Sequence, residues 1–232
     1  MVSPIFEVDP SNDSVLVSWI NKRSGVILRS RRLTVIIDPV SVDATDFKRA
    51  DVVLITHEHP GHFNPLLISR IRSIFKSKIL APHPVIERLV GRVPEKHLVT
   101  ISPGSTWEIG GNEIFVEKSN HMALESVSFV IRFENGITVF HTSDSLPFSE
   151  MKEVGKNFDL DIVFCTVGIA PRASYESGVR IAKLTKPRVA IPYHTDTRGS
   201  INIFMKRLFE ENLKGRDLEI FEVFEYKRDN CQ

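Results

Sequence analysis

Three of the chain's eight histidines fall within six residues, His57, His59 and His62, directly after the apolar, β-branched run Val52-Val53-Leu54-Ile55. Pro60 and Gly61 forbid a helix from carrying them, so they sit on a loop where a strand ends. His57 and His59 are two apart and point to one side of extended backbone, while the Pro-Gly turn brings His62 back from another direction. Neutral imidazole is the commonest metal ligand, and histidines this crowded read as ligands rather than as scattered surface residues. The arrangement is not the helical His-Glu-x-x-His of zinc proteases, because Gly61 stands where the second histidine of that motif belongs.

The elements around this loop set its frame. Residues 14–20, 25–29 and 33–37 are short, apolar and β-rich with polar or glycine-containing breaks, an opening antiparallel meander that delivers Asp38-Pro39. Asp38 is a candidate to accept the second N–H of a metal-bound imidazole, or else a turn-forming aspartate before proline. After the histidine loop, Asn64 caps and Pro65 opens a helix carrying Leu66, Leu67, Ile71 and Phe75. A strand over 79–81 and a short helix over 84–91 follow, the latter ending at glycine. His83 and His97 read as ordinary surface histidines. From 99 to 141 strands are joined by tight turns, with hairpin signals at 109–112 and 134–137. Residues 114–118 lead into His121 and 137–141 into Asp144, so both lie where a strand gives way to a loop. Alone, His121 reads as structural and Asp144 as a turn or N-cap residue. The remainder predicts strand 161–167, helix 175–184, strand 188–191, helix 202–213 and strand 218–224. Periodicity gives mixed α/β, in a rhythm that fits two stacked sheets with helices outside.

In order along the chain, these residues resemble the metallo-β-lactamase superfamily, whose signature His-x-His-x-Asp-His follows a strand, and specifically its small single-domain, lactonase-like metal-dependent hydrolases. His57, His59 and His62 match, with Gly61 at the aspartate position. The similarity continues through Pro103-Gly104, His121, Phe140-His141-Thr142-Ser143-Asp144-Ser145 and Ile191-Pro192-Tyr193-His194, and upstream through Ile36-Ile37-Asp38-Pro39. It implies an α/β fold, a four-layer αββα sandwich of two mixed β-sheets flanked by helices, over one domain of residues 1–232. It also implies one metal site of His57, His59, His121 and Asp144, and another of His62, His194 and Asp144 in which Gly61 replaces an extra carboxylate. Asp38 and His141 then occupy supporting positions.

The activity so implied is hydrolysis of an ester, lactone or phosphodiester by metal-bound hydroxide. Three imidazoles with an open position match a catalytic zinc site, and a bound cation lowers the pKa of water toward ~7. Zinc is the expected divalent metal, with manganese, iron and nickel open to the same ligands, at one or two ions per chain. Glycine has no donor atom, so the second site is expected to be impaired, and Glu58 points away from His57 and His59 in extended chain. Arg172, Tyr175 and Thr195, in loops near the late motifs, are candidates to hold an anionic substrate. The first meander turn reads Asn21-Lys22-Arg23-Ser24 where the family often has a further His or Gly, a change that alters the pocket rim. The alternative is a non-catalytic or mononuclear metal- or ligand-binding protein on the same scaffold; Gly61 favours it and the other ligands oppose it.

Composition sets the outer bounds. The 232 residues are 42% hydrophobic and 25% charged with a formal net charge of +1. Such a balance leaves no field strong enough to argue for nucleic acid or an anionic membrane, and the expected partner is the small-molecule substrate of the implied hydrolase. Cys165 and Cys231 make no disulfide framework, which fits the cytoplasm. The amino-terminal residues have no signal-peptide pattern, and no run approaches the ~18 apolar residues of a membrane span.

Overall fold

The computed structural model describes residues 2–228, so Cys231 lies outside the described residues. The opening meander is β1 (Ser14–Trp19), β2 (Val26–Arg29) and β3 (Thr34–Ile37), paired antiparallel in sequence. Next come β4 (Val52–Leu54), α1 (Pro65–Phe75), β5 (Lys78–Ala81), α2 (His83–Glu87) and β6 (Leu98–Thr100). β4, β5 and β6 add in parallel, which requires crossovers rather than tight turns between them. The second half repeats the plan. β7 (Thr106–Ile109), β8 (Asn112–Lys118), β9 (Val127–Arg132) and β10 (Thr138–His141) form an antiparallel meander. α3 (Met151–Asn157), β11 (Ile162–Thr166), α4 (Tyr175–Thr185) and β12 (Val189–Tyr193) then extend it with two parallel strands. α5 (Arg198–Glu210) follows, and β13 (Phe224–Lys227) returns to the first sheet, antiparallel to β1. The strand orders are β13-β1-β2-β3-β4-β5-β6 and β12-β11-β10-β9-β8-β7, two mixed sheets flanked by helices as expected.

Strand alternation divides the core. Val15, Val17, Val35 and Ile37 turn inward with Ile114, Val116, Phe129 and Ile131 of the second sheet. Their neighbours Leu16, Ile36 and Val53 pack outward with Ile68 and Ile71 of α1. β4 and β11 are buried along their whole length, which is why each reads as an unbroken apolar run. Asn64 caps α1 as its sequence predicts, its side chain accepting from the Leu66 and Leu67 amides.

Several elements differ from expectation, among them α2, which ends at Glu87 with Arg88 as its C-cap instead of running to Gly91. The final strand starts at Phe224 instead of 218, because Phe221 takes a left-handed φ of 65° that breaks the extended run. α5 begins four residues earlier, at Arg198. α3 was not anticipated: only Met151 and Val154 are buried along it, too few to show helical periodicity. β13 is fastened to the opposite sheet through the buried Asp161 carboxylate, which accepts from Tyr226 Oη at 2.9 Å and from Arg228 Nε at 2.7 Å.

Candidate metal centre

Carboxyl ends of parallel strands are where α/β sheets gather their ligands, and the candidate residues converge there. His57 follows β4, Asp144 follows β10 and His194 follows β12, while His121 follows β8, which runs the same way as β10 because β9 is antiparallel to both. The Pro-Gly turn closes with the His62 amide donating to the His59 carbonyl at 2.9 Å, which folds His62 back over His57. Three residues at these strand ends have left-handed φ: Asp38 at 44°, Ser143 at 56° and His194 at 57°. Such backbone costs free energy in non-glycine residues and persists where the surroundings enforce it, typically at functional sites.

Two overlapping clusters result. Ligand atoms of His57, His59 and His121 all lie within 4.8 Å of one another, as do those of His57, His62 and Asp144. Asp144 joins the two: its Oδ2 is 3.1 Å from His62 Nε2 and 3.9 Å from His121 Nε2, and its Oδ1 is 2.9 Å from His194 Nε2.

Hydroxyls, a carboxylate and a carbonyl behind the clusters set the imidazole tautomers. The buried Asp38 Oδ2 accepts from Ser24 Oγ, Thr56 Oγ1 and His62 Nδ1 at 2.7, 2.7 and 2.8 Å, and Oδ1 accepts from the Thr56 amide at 2.8 Å. Because Thr56 spends its hydroxyl proton on Asp38, its oxygen receives the His57 Nδ1–H at 2.9 Å. His194 Nδ1 likewise donates to the Gly168 carbonyl at 3.1 Å. The Nε2 lone pairs of His57, His62 and His194 are thereby turned into one space. This is the second layer of contacts that metal-binding imidazoles need.

A cation fits what remains. His57 Nε2 is buried with no hydrogen-bond partner among the described residues, and the buried His194 Nε2 and Asp144 Oδ1 face each other at 2.9 Å as two acceptors once His194 Nδ1 carries the ring proton. Native structures leave few such atoms, and buried acceptors crowded together without donors are what a divalent metal satisfies. Burial, aided by the neighbouring His62, pushes His57 down to about 3, which keeps it neutral and ready to ligate. Burial opposes protonation of His62 too, but Asp38 and Asp144 on either side overcome it and push His62 up to about 9. Burial would raise Asp144, yet the neighbouring His194 and His62 hold it well below the usual carboxylate range.

These opposed shifts predict a pH optimum for the metal-stripped protein. His62, with a raised folded pKa, contributes stability that is full below its unfolded value near ~6.5 and lost as pH rises through about 9. His57, with a depressed one, must be neutral when folded, so stability falls as pH drops from ~6.5 toward about 3. The thermal midpoint of stripped protein is expected to peak near pH ~6.5, and saturating metal to remove the alkaline decline by replacing the His62 proton. A midpoint rising steadily from pH 6 to 9 would contradict this.

His59, Gly61, His62, His121, Asp144 and His194 line a cavity of about 230 Å³, together with Arg23 and residues 169–171. His141 stands behind it, buried, donating Nε2–H to the Ser24 carbonyl at 2.8 Å. Glu58 does not line the cavity, but contrary to expectation it does not point away from His59: its Oε1 lies 3.7 Å from His59 Nε2 while accepting from the Leu124 amide at 2.9 Å, which pins the loop that carries His121. The three residues expected to hold substrate do not line this cavity. Arg172 is exposed, and Thr195 is buried with its hydroxyl accepting from the Thr197 amide at 3.1 Å. Tyr175 opens α4 and lines a separate 790 Å³ surface groove beside α5, which holds no histidine. The first meander turn was expected to alter the pocket rim, and its Arg23 lines the cavity; Ser24 and Thr56 were not foreseen as contacts behind the ligands.

This αββα sandwich with a histidine–aspartate cluster at its strand ends is the architecture of the metallo-β-lactamase superfamily. The chain belongs to it: the family model described as a beta-lactamase superfamily domain matches residues 6–201. Among curated relatives, a UPF0173 metal-dependent hydrolase of Saccharolobus solfataricus is 24% identical over 204 residues, covering 81% of this chain and 89% of that protein. Another of that name from Lysinibacillus sphaericus is 22% identical over 192 residues, covering 75% and 82%. Among solved structures, Igni18, a metallo hydrolase of Ignicoccus hospitalis, aligns with a TM-score of 0.80 at 20% identity, covering 93% of this chain and all of its own. The metallo-beta-lactamase fold protein YhfI of Bacillus subtilis aligns at 0.74 and 16% identity, covering 92% and 100%.

Proposed function

We propose that the protein is a metal-dependent hydrolase of small ester, lactone or phosphodiester substrates, with the His57, His59, His121 and Asp144 set complete and the His62, His194 and Asp144 set weakened at Gly61. The observation that carries this reading is the pair of overlapping ligand clusters at the strand ends, His57, His59 and His121 and His57, His62 and Asp144, most of which line one cavity with His194. A divalent cation, when bound, supplies Lewis acidity and a water acidic enough to act as nucleophile near neutral pH. Zinc suits a set so rich in imidazole, and manganese, iron and nickel accept the same donors. The names of the curated relatives support the same class.

The chain's own residues do the rest. Asp38, Thr56 and Gly168 fix the tautomers, so no proton has to move from His57 or His194 before a cation is held. Asp144 lies between the two sets, with Oδ2 near His62 and His121 and Oδ1 near His194. His59 stands at the entrance with 43% of its side chain exposed, the side from which a small substrate reaches the cavity. At Gly61 a Cβ would meet nothing closer than Arg23 Cδ at 3.7 Å, so a side chain can begin there without a clash.

Elemental analysis of purified wild type and Gly61→Asp, with hydrolysis assays on ester, lactone and phosphodiester panels, tests the reading. One tightly held ion per chain rising toward two in the variant is expected, with hydrolysis lost on stripping and restored on reloading. Two tightly held ions in wild type would overturn the weakened-site part. Stoichiometric metal without hydrolysis of any panel would favour a binding protein on this scaffold.

A further inference from the structure

Among the described residues Arg23 is the only lysine or arginine lining the cavity that His59, His62, His121, Asp144 and His194 share. It sits in the β1–β2 turn, whose backbone is fixed: the Arg23 amide donates to Asn21 Oδ1 at 2.9 Å and its carbonyl accepts from Trp19 Nε1 at 2.7 Å. The next residue, Ser24, donates to Asp38 and touches His62 Nδ1 at 2.7 Å, so the turn is joined directly to the metal centre. Arg23's side chain then passes over Gly61, with Cδ and Nε 3.7 and 3.8 Å from where a Cβ would stand. No hydrogen bond or ion pair engages its guanidinium among the described residues, although most other arginines of the chain are paired.

We infer that Arg23 is a specificity-determining residue that binds an oxyanion of the substrate beside the cation, a task made necessary by the glycine at position 61. The inference rests on the hydrolase reading above. Among the described residues Asp144 is the only carboxylate lining the cavity, with Asp38 behind it against His62 and Glu58 beside His59, and His62 and His194 already share Asp144. A guanidinium stays charged at any working pH, so with a divalent cation in the same small cavity the positive charge exceeds the negative. A substrate carrying its own anion balances that excess; a neutral one does not. The guanidinium fork matches the paired oxygens of a phosphate or carboxylate, and its fixed charge stands in for the one a weakly held second ion fails to supply. The substrate class is therefore narrowed to compounds with an oxyanion at or next to the scissile bond, either a phosphodiester or an ester with a neighbouring carboxylate.

Inorganic phosphate is the probe. Metal-loaded full-length wild type, Arg23→Ala and Arg23→Lys are titrated with phosphate by calorimetry after metal content has been matched by elemental analysis. Arg23→Ala is expected to weaken phosphate binding about 10- to 100-fold, and Arg23→Lys, which keeps the charge but loses the fork, to recover part of it. In hydrolysis assays the kcat/KM of bis-p-nitrophenyl phosphate and of a p-nitrophenyl hemiester of succinate, each relative to p-nitrophenyl acetate, is expected to fall about 10-fold in Arg23→Ala, chiefly through KM. A fall confined to the phosphate or to the hemiester assigns the source of the anion. Equal phosphate affinity in wild type and Arg23→Ala at equal metal content, or no phosphate binding by wild type, would overturn the assignment. Failure of the hydrolase reading shows differently, as wild type that retains no metal or cleaves no substrate, and phosphate titration still reports on Arg23.

Discussion

Asp144→Asn is expected to leave the fold standing while the protein loses its metal, with affinity down at least ~100-fold and hydrolysis down on the order of 10³-fold or more. The amide has the size of the carboxylate, so packing around β10 is preserved. Its chemistry is not. Asp144 serves His62 and His121 through Oδ2 and His194 through Oδ1, so neutralising it subtracts an anionic donor from both sets at once. One amide oxygen cannot face both ways, and the NH₂ group turns a donor toward a space arranged for a cation. The same substitution removes one of the two carboxylates that hold His62 protonated, so the His62 pKa in stripped protein is expected to move down from about 9. Elemental analysis, a thermal midpoint and an NMR titration of the histidines read the three effects separately. A variant retaining wild-type metal content would remove Asp144 from the centre, and with it the link between the two clusters.

Much of this centre is legible in the sequence because strand ends and turns have strong local signatures. A β-branched run that stops at histidines, followed by Pro-Gly, fixes His57 and His59 on one side and turns the chain back through His62. Hairpin signals at 109–112 and 134–137 set the direction of β8 and β10, and so put the ends that carry His121 and Asp144 on one edge. What escapes is the layer behind and the detail of the rim in front. Ser24 and Thr56 are residue types found in every turn, and nothing local marks their hydroxyls as relays to Asp38. Arg23 enters the cavity from a turn 38 residues away from Gly61, a proximity created only when β1, β2, β3 and β4 pair in register. Arg172, Tyr175 and Thr195 were drawn from closeness in sequence to the late motifs. Their neighbours at 169–171 do line the cavity, but α4 starts at Tyr175 and carries the chain toward a different groove. The displaced last strand has a similar cause. Residues 218–223 are apolar enough for a strand, and the left-handed Phe221 that ends that possibility has no signature in its side chain.

Asp38 contacts none of the open donor atoms, yet Asp38→Ala is expected to damage both clusters. The carboxylate is fully buried and receives four hydrogen bonds, from Ser24 Oγ, Thr56 N, Thr56 Oγ1 and His62 Nδ1. Its removal leaves those donors unmatched in the interior, and breaking a buried charged pair in this way costs about 3–5 kcal/mol. For a chain of this size that lowers the thermal midpoint of stripped protein by roughly 10 °C. The effect on metal follows from proton placement. Without Asp38 the Thr56 hydroxyl is free to donate to His57 Nδ1, which shifts the ring proton onto Nε2, the atom otherwise left bare for a cation. His62 loses the acceptor that holds Nδ1–H and turns Nε2 toward Asp144. Metal affinity is expected to fall 10- to 100-fold although every candidate ligand is still present, the magnitude typical of partners that orient ligands. Nitrogen-15 shifts of His57 and His62 in stripped Asp38→Ala separate this mechanism from simple loosening of the fold. Rings that keep the proton on Nδ1 while metal affinity stays within twofold of wild type would show that the carboxylate supports only the fold and does not set the ligand tautomers.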